Sequence, residues 1–256
     1  MKCRICSLAT QHVFDLQSQR HNVTVPVFRC ERCDAFYSSG GPVNYADVDL
    51  TGYYMEHASS ISQRYQRFFL YMETLLSPGR FLDIGAGMGF SLEVSEGRGW
   101  TSEGLEPNRT LAQHATHRGL KVVNGYLDGS QQGEFDLVLI DNVLEHVPDP
   151  VTFLHHAGRL LSRSGMMVIA IPPMDWLRKG LASFRYVRDR VTRPQLNIFG
   201  EVDEHLNMLS RRAMKALAGR ANLQVLPNRF HHSPVYDNVW IRGLGLDDGY
   251  YFIKLR

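Results

Sequence analysis

The sequence lacks several features, and each absence excludes a class of protein. No charged-then-apolar leader follows Met1, and no uninterrupted apolar run reaches the roughly 18 residues of a membrane-spanning helix. The net charge is only +2 over 256 residues, so bulk electrostatics gives no attraction for nucleic acid. The hydrophobic share of 44% is enough for a full core. We therefore expect a globular cytoplasmic protein without a membrane span, and the composition gives no indication of a nucleic-acid partner.

Cysteine is also scarce, and its placement is informative. The four cysteines form two pairs, Cys3-x-x-Cys6 and Cys30-x-x-Cys33. Two such pairs can present four thiolates to one tetrahedral Zn²⁺, whereas disulfides are disfavoured in the cytosol. Because protein would fill all four positions, we expect a closed structural zinc site. Short alternating segments between the pairs predict strands, so residues 1–40 are predicted to form a zinc ribbon.

The strongest single motif is a strand, turn and helix pattern at residues 81–90. A short apolar run there meets Gly85, Gly87 and Gly89 at alternate positions. Glycine permits positive φ and has no Cβ, so a ligand can approach the backbone amides at the start of the helix. Phe90 stands where a dinucleotide fingerprint would have its third glycine, which disfavours a nicotinamide enzyme. We therefore expect a different small ligand at this turn.

Alternating apolar and helical segments predict βαβ units, with strands near 80–84, 101–106, 121–124, 135–140 and 166–171. Such units form a parallel sheet with right-handed crossovers, and ligands bind at the carboxyl ends of its strands. Glu106 ends the second strand and could accept both ribose hydroxyls of a nucleoside. The polar residues predicted at this edge of the sheet are Asp83, Glu106, Asp128, Asp141 and Asn142.

A family resemblance rests on the order of four segments: LDIGAGMG, GLEPN, FDLVLIDNVLEHVPDP and LLSRSGMMVIAIPP. Over about residues 79–172 this order resembles the seven-stranded S-adenosylmethionine-dependent methyltransferases. The resemblance implies an α/β, Rossmann-like fold over residues 79–256, with a last strand that pairs antiparallel. It also implies S-adenosylmethionine as cofactor, held by Asp83, Gly85, Gly87, Gly89, Glu106, Asp128, Asp141 and Asn142.

Two segments outside the predicted sheet are expected to cover the cofactor site. Residues 41–78 are aromatic and helical, and in methyltransferases of this type such a segment commonly folds over the cofactor. Its candidates for lining the site are Tyr53, Tyr54, His57 and Tyr65, although aromatic residues at helical spacing also serve simply as core. A basic segment within an insertion at about 173–208 is either a helical lid that grips an anionic substrate or an ordinary solvated face.

Two histidines are candidates for a catalytic base. His146 follows the fourth strand, and His205 with Glu204 belongs to a Glu-His-Leu element. That element resembles a subset of zinc-ribbon small-molecule methyltransferases, including those that methylate carbon on nucleotide-linked deoxysugars. A histidine titrates near neutral pH and can act as a base, although a structural role for either one stays open.

The predicted function is methyl transfer to a small-molecule acceptor, such as an anionic or a nucleotide- or carrier-linked biosynthetic intermediate. Two alternatives stay open at this point: an RNA-base methyltransferase, and a non-catalytic cofactor-binding module. The sequence does not indicate whether the acceptor atom is carbon, oxygen or nitrogen, nor does it indicate the oligomeric state.

Overall fold

The computed structural model describes residues 1–17, 23–41, 44–172, 205–226 and 250–256. Within them the strands are β1 Gln11–Gln17, β2 Thr24–Cys30, β3 Ala35–Ser38, β4 Arg80–Ile84, β5 Thr101–Glu106, β6 Val122–Asn124, β7 Phe135–Asp141, β8 Leu161–Ala170, β9 Asn207–Leu209, β10 Leu223–Val225 and β11 Tyr250–Leu255. The α-helices are α1 Thr51–Met72, α2 Phe90–Glu96, α3 Arg109–His117, α4 Pro150–Gly158 and α5 Arg211–Arg220. Among these described helices, none combines the length and the apolar character that crossing a membrane requires.

The larger sheet has seven strands in the order β10-β11-β8-β7-β4-β5-β6. Strands β4 to β8 pair parallel, while β11 pairs antiparallel with both β8 and β10. The predicted α/β, Rossmann-like fold with a seven-stranded sheet and an antiparallel last strand is therefore confirmed.

The central strands are apolar on both faces because helices cover both sides of the sheet. Leu82 and Val138 point to one face, where they share a buried cluster with residues of α4 and α5. Phe81 and Leu139 point to the other, where the buried cluster includes residues of α1 and α2. This sandwich holds the carboxyl ends of β4, β5 and β7 side by side, and they form one edge of the candidate site.

A second sheet has four antiparallel strands in the order β1-β2-β3-β9. Its last strand, β9, comes from the C-terminal part of the chain, and Phe36 pairs with Met208 across the β3–β9 ladder. Cys3 and Tyr37 also belong to the same buried cluster as Leu82. The cysteine-bearing segment is therefore packed against the larger sheet rather than attached only by a linker. The divisions at 1–40, 41–78 and 79–256 stay predictions, and most of the insertion at about 173–208 lies outside the described residues.

Candidate functional site

The four cysteine sulfurs of the N-terminal segment all lie within 4.8 Å of one another. Cys6 Sγ and Cys30 Sγ are 3.6 Å apart, close to the roughly 3.8 Å that a tetrahedral ion with 2.3 Å metal–sulfur bonds requires. Burial raises the pKa of the Cys3 thiol, but a hydrogen bond with Tyr37 Oη at 3.1 Å and backbone amide donors outweigh it and lower this pKa to about 7. The cluster therefore has the donor atoms and the spacing for a soft divalent cation.

A cavity of about 1010 Å³ opens at the carboxyl ends of the parallel strands. Its lining includes Gly85, Glu106, Asp141 and Asn142 from the sheet edge, together with His146 and His205. Ligand pockets span roughly 300–1,000 Å³, so this cavity lies at the upper end of that range. Of the predicted site residues, the structure brings these six to one cavity.

The glycine turn adopts the backbone that its sequence predicts. Gly87 has φ +54°, and a Cβ added there would lie 2.7 Å from Tyr54 Oη, so only glycine fits beneath this tyrosine. Asp83 is buried below the turn and accepts a hydrogen bond from Ser91 Oγ. Burial raises the pKa of Asp83 to about 7, against the effect of the Ser91 bond. The turn is therefore supported from below by a buried acid and covered from above by α1.

Glu106 is held in place by backbone amides. Its Oε2 accepts from the Gly87 amide at 2.7 Å, and its Oε1 accepts from the Asn108 amide at 2.7 Å. Burial raises the pKa of Glu106, whereas these two bonds lower it. The carboxylate thus sits at the cavity wall with its orientation fixed and with lone pairs left for a ligand's hydroxyl groups.

Asp141 is engaged within the protein. Its Oδ2 lies 2.8 Å from Arg64 Nη2 and accepts from Tyr65 Oη at 3.0 Å, and its Oδ1 accepts from Asn142 Nδ2 at 2.9 Å. These contacts tie the end of β7 to α1. Asp128, by contrast, lies on an exposed turn outside the cavity lining and accepts from the amide and hydroxyl of Ser130.

Helix α1 and the segment before it cover the cavity. Tyr53, Tyr54, His57 and Tyr65, the four candidates from the sequence, all contribute to its lining. Asn108 anchors the preceding segment, because its Nδ2 donates to Tyr45 O at 2.8 Å and to Val48 O at 2.7 Å. This buried asparagine also caps α3 by accepting from the Leu111 amide at 3.1 Å. One residue therefore links the end of β5 to the cover.

The two predicted histidines meet in the cavity wall. Their ring centroids are 4.9 Å apart, and Tyr45 Oη lies 2.9 Å from His146 Nδ1. Glu145, which sequence reasoning did not single out, has an Oε1 3.9 Å from His146 Nε2. The predicted partner of His205, Glu204, lies outside the described residues. The structure thus assembles Tyr45, Glu145, His146 and His205 from three distant parts of the chain.

Glu145 is the most unusual member of this histidine cluster. Its side chain is 2% exposed, and neither carboxyl oxygen has a hydrogen-bond partner within the described part of the chain. Burial raises the pKa of Glu145 to about 8, assisted by the charge of Asp141. A buried polar group without a hydrogen-bond partner is rare and costly, which sets Glu145 apart from the other members of the cluster.

Asn207 connects the two histidine-bearing segments. Its Nδ2 donates to Leu144 O at 3.0 Å and to Val147 O at 2.7 Å, on either side of Glu145 and His146. Its Oδ1 accepts from Arg4 Nη1 at 3.2 Å. Because Asn207 opens β9 and pairs with Tyr37, the cysteine-bearing sheet contributes to the position of the histidine cluster.

Sequence reasoning missed Tyr45, Asn108, Glu145 and Asn207. Glu145 stood directly before a named candidate, and Asn108 directly follows the GLEP segment, so position along the chain could have indicated both. No local pattern indicated Tyr45 or Asn207, because their partners lie far away in the sequence.

Comparisons with known proteins agree with this architecture. A family model described as a methyltransferase domain matches residues 54–228. The chain is 35% identical over 102 residues to a ubiquinone biosynthesis O-methyltransferase of Caulobacter sp. (strain K31), a match that covers 36% of this chain and 40% of that one. It is 31% identical over 144 residues to the protein of the same name in Rhodopseudomonas palustris (strain TIE-1), with 51% and 57% covered. The chain thus spans only part of the length of these curated relatives.

Two solved structures show the same fold at low identity. A plantazolicin methyltransferase in complex with SAH aligns with TM-score 0.56 and 18% identity, covering 83% of this chain and 92% of that one. A methyltransferase of Thermotoga maritima, described as a possible histamine N-methyltransferase, aligns with TM-score 0.51 and 19% identity, covering 80% and 94%. Because the family model matches more than half of the sequence, the chain belongs to the methyltransferase domain family.

Proposed function

We propose that this protein transfers the methyl group of S-adenosylmethionine to a small-molecule acceptor. The observation that carries the proposal is a single large cavity, with Gly85 and Glu106 in one part of its wall and the histidine cluster in another. Methyl transfer requires that cofactor and acceptor be held together in line. The names of the relatives, O-methyltransferases of ubiquinone biosynthesis and a plantazolicin methyltransferase, favour small acceptors over RNA bases.

The proposed cofactor site uses the residues at the sheet edge. Glu106, fixed by two amides, would accept the ribose hydroxyls, and Gly85, which has no Cβ, would let the cofactor approach the backbone of the glycine turn closely. Asp141 and Asn142 would border the site from β7, and Tyr54 would cover it. Asp128 could contact the cofactor only if its turn rearranges when the cofactor binds, since its carboxylate already accepts a hydrogen bond from the Ser130 amide.

The proposed chemistry is a displacement at the methyl carbon. The carbon–sulfur bond breaks as the acceptor–carbon bond forms, S-adenosylhomocysteine leaves, and the acceptor loses a proton. His205 with Glu204, or His146 as the alternative, would take that proton. The insertion at about 173–208 would close over the reacting atoms and exclude water.

The four cysteines are proposed to hold one structural Zn²⁺. Their number, spacing and burial support this assignment, and all four coordination positions would come from protein, which leaves no open position for chemistry. The ion would stabilise the small sheet to which β9 belongs.

Calorimetry with S-adenosylmethionine tests the cofactor site. We expect micromolar binding by the wild type and at least a tenfold loss in Glu106→Gln, since a hydrogen bond to a charged group is worth about 1.5–3 kcal/mol. Glu103→Gln is the matched control, because Glu103 lies on the same strand but pairs with Arg80 and Lys121 outside the cavity. Wild-type protein that binds no S-adenosylmethionine would refute the proposal, and binding without transfer to any small acceptor would favour a non-catalytic module.

A further inference from the structure

Three potential metal-ligand groups meet in the cavity wall, apart from the cysteines. The ligand atoms offered by Glu145, His146 and His205 all lie within 4.8 Å of one another, and all three residues contribute to the cavity lining. An independent observation points to a missing ligand there: the Glu145 side chain is 98% buried, yet both of its oxygens have no hydrogen-bond partner among the described residues.

We propose that Glu145, His146 and His205 bind one divalent transition-metal cation at the histidine cluster. Two imidazoles and a carboxylate form a mixed nitrogen and oxygen donor set that suits first-row cations such as Mn²⁺, Fe²⁺ or Zn²⁺. Three protein ligands leave further coordination positions for a second molecule, as in catalytic rather than structural metal sites. Those positions would face the cavity.

The surroundings of the three ligands resemble the outer shell of a metal site. A ligating histidine usually has its second ring nitrogen hydrogen-bonded, which orients the ring. Tyr45 Oη lies 2.9 Å from His146 Nδ1 and 3.5 Å from its Nε2, so the shorter contact is with Nδ1, while Nε2 lies 3.9 Å from Glu145 Oε1. Asn207 fixes the turn that carries two of the ligands through Leu144 O and Val147 O.

The proposed cation site adds a chemical role to the proposed function. It rests on that function because it requires the methyl acceptor to occupy the same cavity. A divalent cation lowers the pKa of an oxygen bound to it, so an acceptor hydroxyl would lose its proton to solvent without a histidine base. The substrate class would then be molecules with a hydroxyl, or two adjacent oxygens, able to reach the metal. The two histidines would serve as ligands instead of taking the proton, and these two roles can be separated experimentally.

The test uses Mn²⁺, which the soft thiolates of the cysteine cluster do not favour. Full-length protein loaded with zinc is titrated with Mn²⁺, and free Mn²⁺ is measured by electron paramagnetic resonance. We expect one additional Mn²⁺ per chain in the wild type, and unchanged binding in Glu134→Gln, a control that makes the same change at an exposed position. Tyr45→Phe should weaken binding by roughly 10–100-fold through the outer shell, and Glu145→Gln should weaken it further.

Absence of Mn²⁺ binding in the wild type, or equal binding by Glu145→Gln, overturns the proposal. If Glu145→Gln does not fold, His205→Ala decides, since His205 is partly exposed and lies two residues before β9; undiminished Mn²⁺ binding in that variant refutes the site. Calorimetry with S-adenosylmethionine on the same samples separates the two hypotheses. Cofactor binding without Mn²⁺ binding leaves the proposed function and rejects the cation, whereas Mn²⁺ binding without cofactor binding does the reverse.

Discussion

Replacing Asn207 by alanine removes the side chain that joins the histidine cluster to the cysteine-bearing sheet. The wild-type Nδ2 donates to Leu144 O and Val147 O, and Oδ1 accepts from Arg4. Asn207 is 2% exposed, so water does not readily replace these bonds. We therefore expect a loss of stability well above that of an ordinary surface substitution.

The magnitude follows from the bonds that are lost. A buried group left without its partner costs about 1–3 kcal/mol. Val147 O would lose its 2.7 Å bond, whereas Leu144 O keeps a longer one from the Val147 amide at 3.4 Å. The loss of stability is therefore less than twice that of one fully unpaired carbonyl. Together we expect the free energy of unfolding to fall by about 2–4 kcal/mol, a large part of the 5–15 kcal/mol typical of a folded protein.

The assay is denaturant unfolding at equilibrium, with Asn124→Ala as the matched control. Asn124 Nδ2 also donates to two carbonyl oxygens, Glu106 O and Pro107 O, both at 2.9 Å, but its side chain is exposed. Water can satisfy those carbonyls, so the control should lose less than about 1 kcal/mol.

A loss in Asn207→Ala no larger than that in Asn124→Ala would refute the reasoning. It would mean that the bonds to Leu144 and Val147 do not hold the two segments together. A second readout is turnover: the variant should lower kcat while cofactor affinity, which depends on Glu106 and the glycine turn, changes little.

Three further predictions follow. Gly87→Val should abolish micromolar S-adenosylmethionine binding in calorimetry, because its Cβ would lie 2.7 Å from Tyr54 Oη at a φ of +54°; equal affinity would contradict the cofactor site. Cys33→Ser should reduce zinc, by elemental analysis, from about one ion per chain and lower the melting temperature; a metal-free wild type would contradict the zinc site. Burial raises the pKa of Asp83 to about 7, so the native state keeps a proton that the unfolded state releases. This stability contribution is complete below about pH 4 and is lost as the pH rises through 7, a change of up to about 4 kcal/mol. Asp83→Asn should flatten the pH dependence of the unfolding free energy over that range. An unchanged pH dependence would count against the raised pKa of Asp83.

Local patterns were enough to predict the larger sheet. The βαβ order of strands and the positive φ of the glycine turn each depend on residues close together in the sequence or on general rules of chain connection, whereas the antiparallel last strand was implied by the family resemblance. The four cysteines were predictable as a cluster for a similar reason, because two short loops need only approach each other to bring four thiols together.

The sequence by itself therefore determined the sheet, the glycine turn and which cysteines form the cluster, whereas only the tertiary structure decided how the histidine cluster is built. Strand β9 is three residues long, too short for a periodic signal, and it pairs with β3, a strand far from it in the sequence. Whether a polar side chain is available to bind a ligand also depends on its neighbours. Asp128 accepts hydrogen bonds from Ser130, while the carboxyl oxygens of Glu145 have no hydrogen-bond partner among the described residues. Such differences arise from contacts between segments that are distant in the sequence. A local sequence pattern does not indicate these contacts, because they form only when the chain folds.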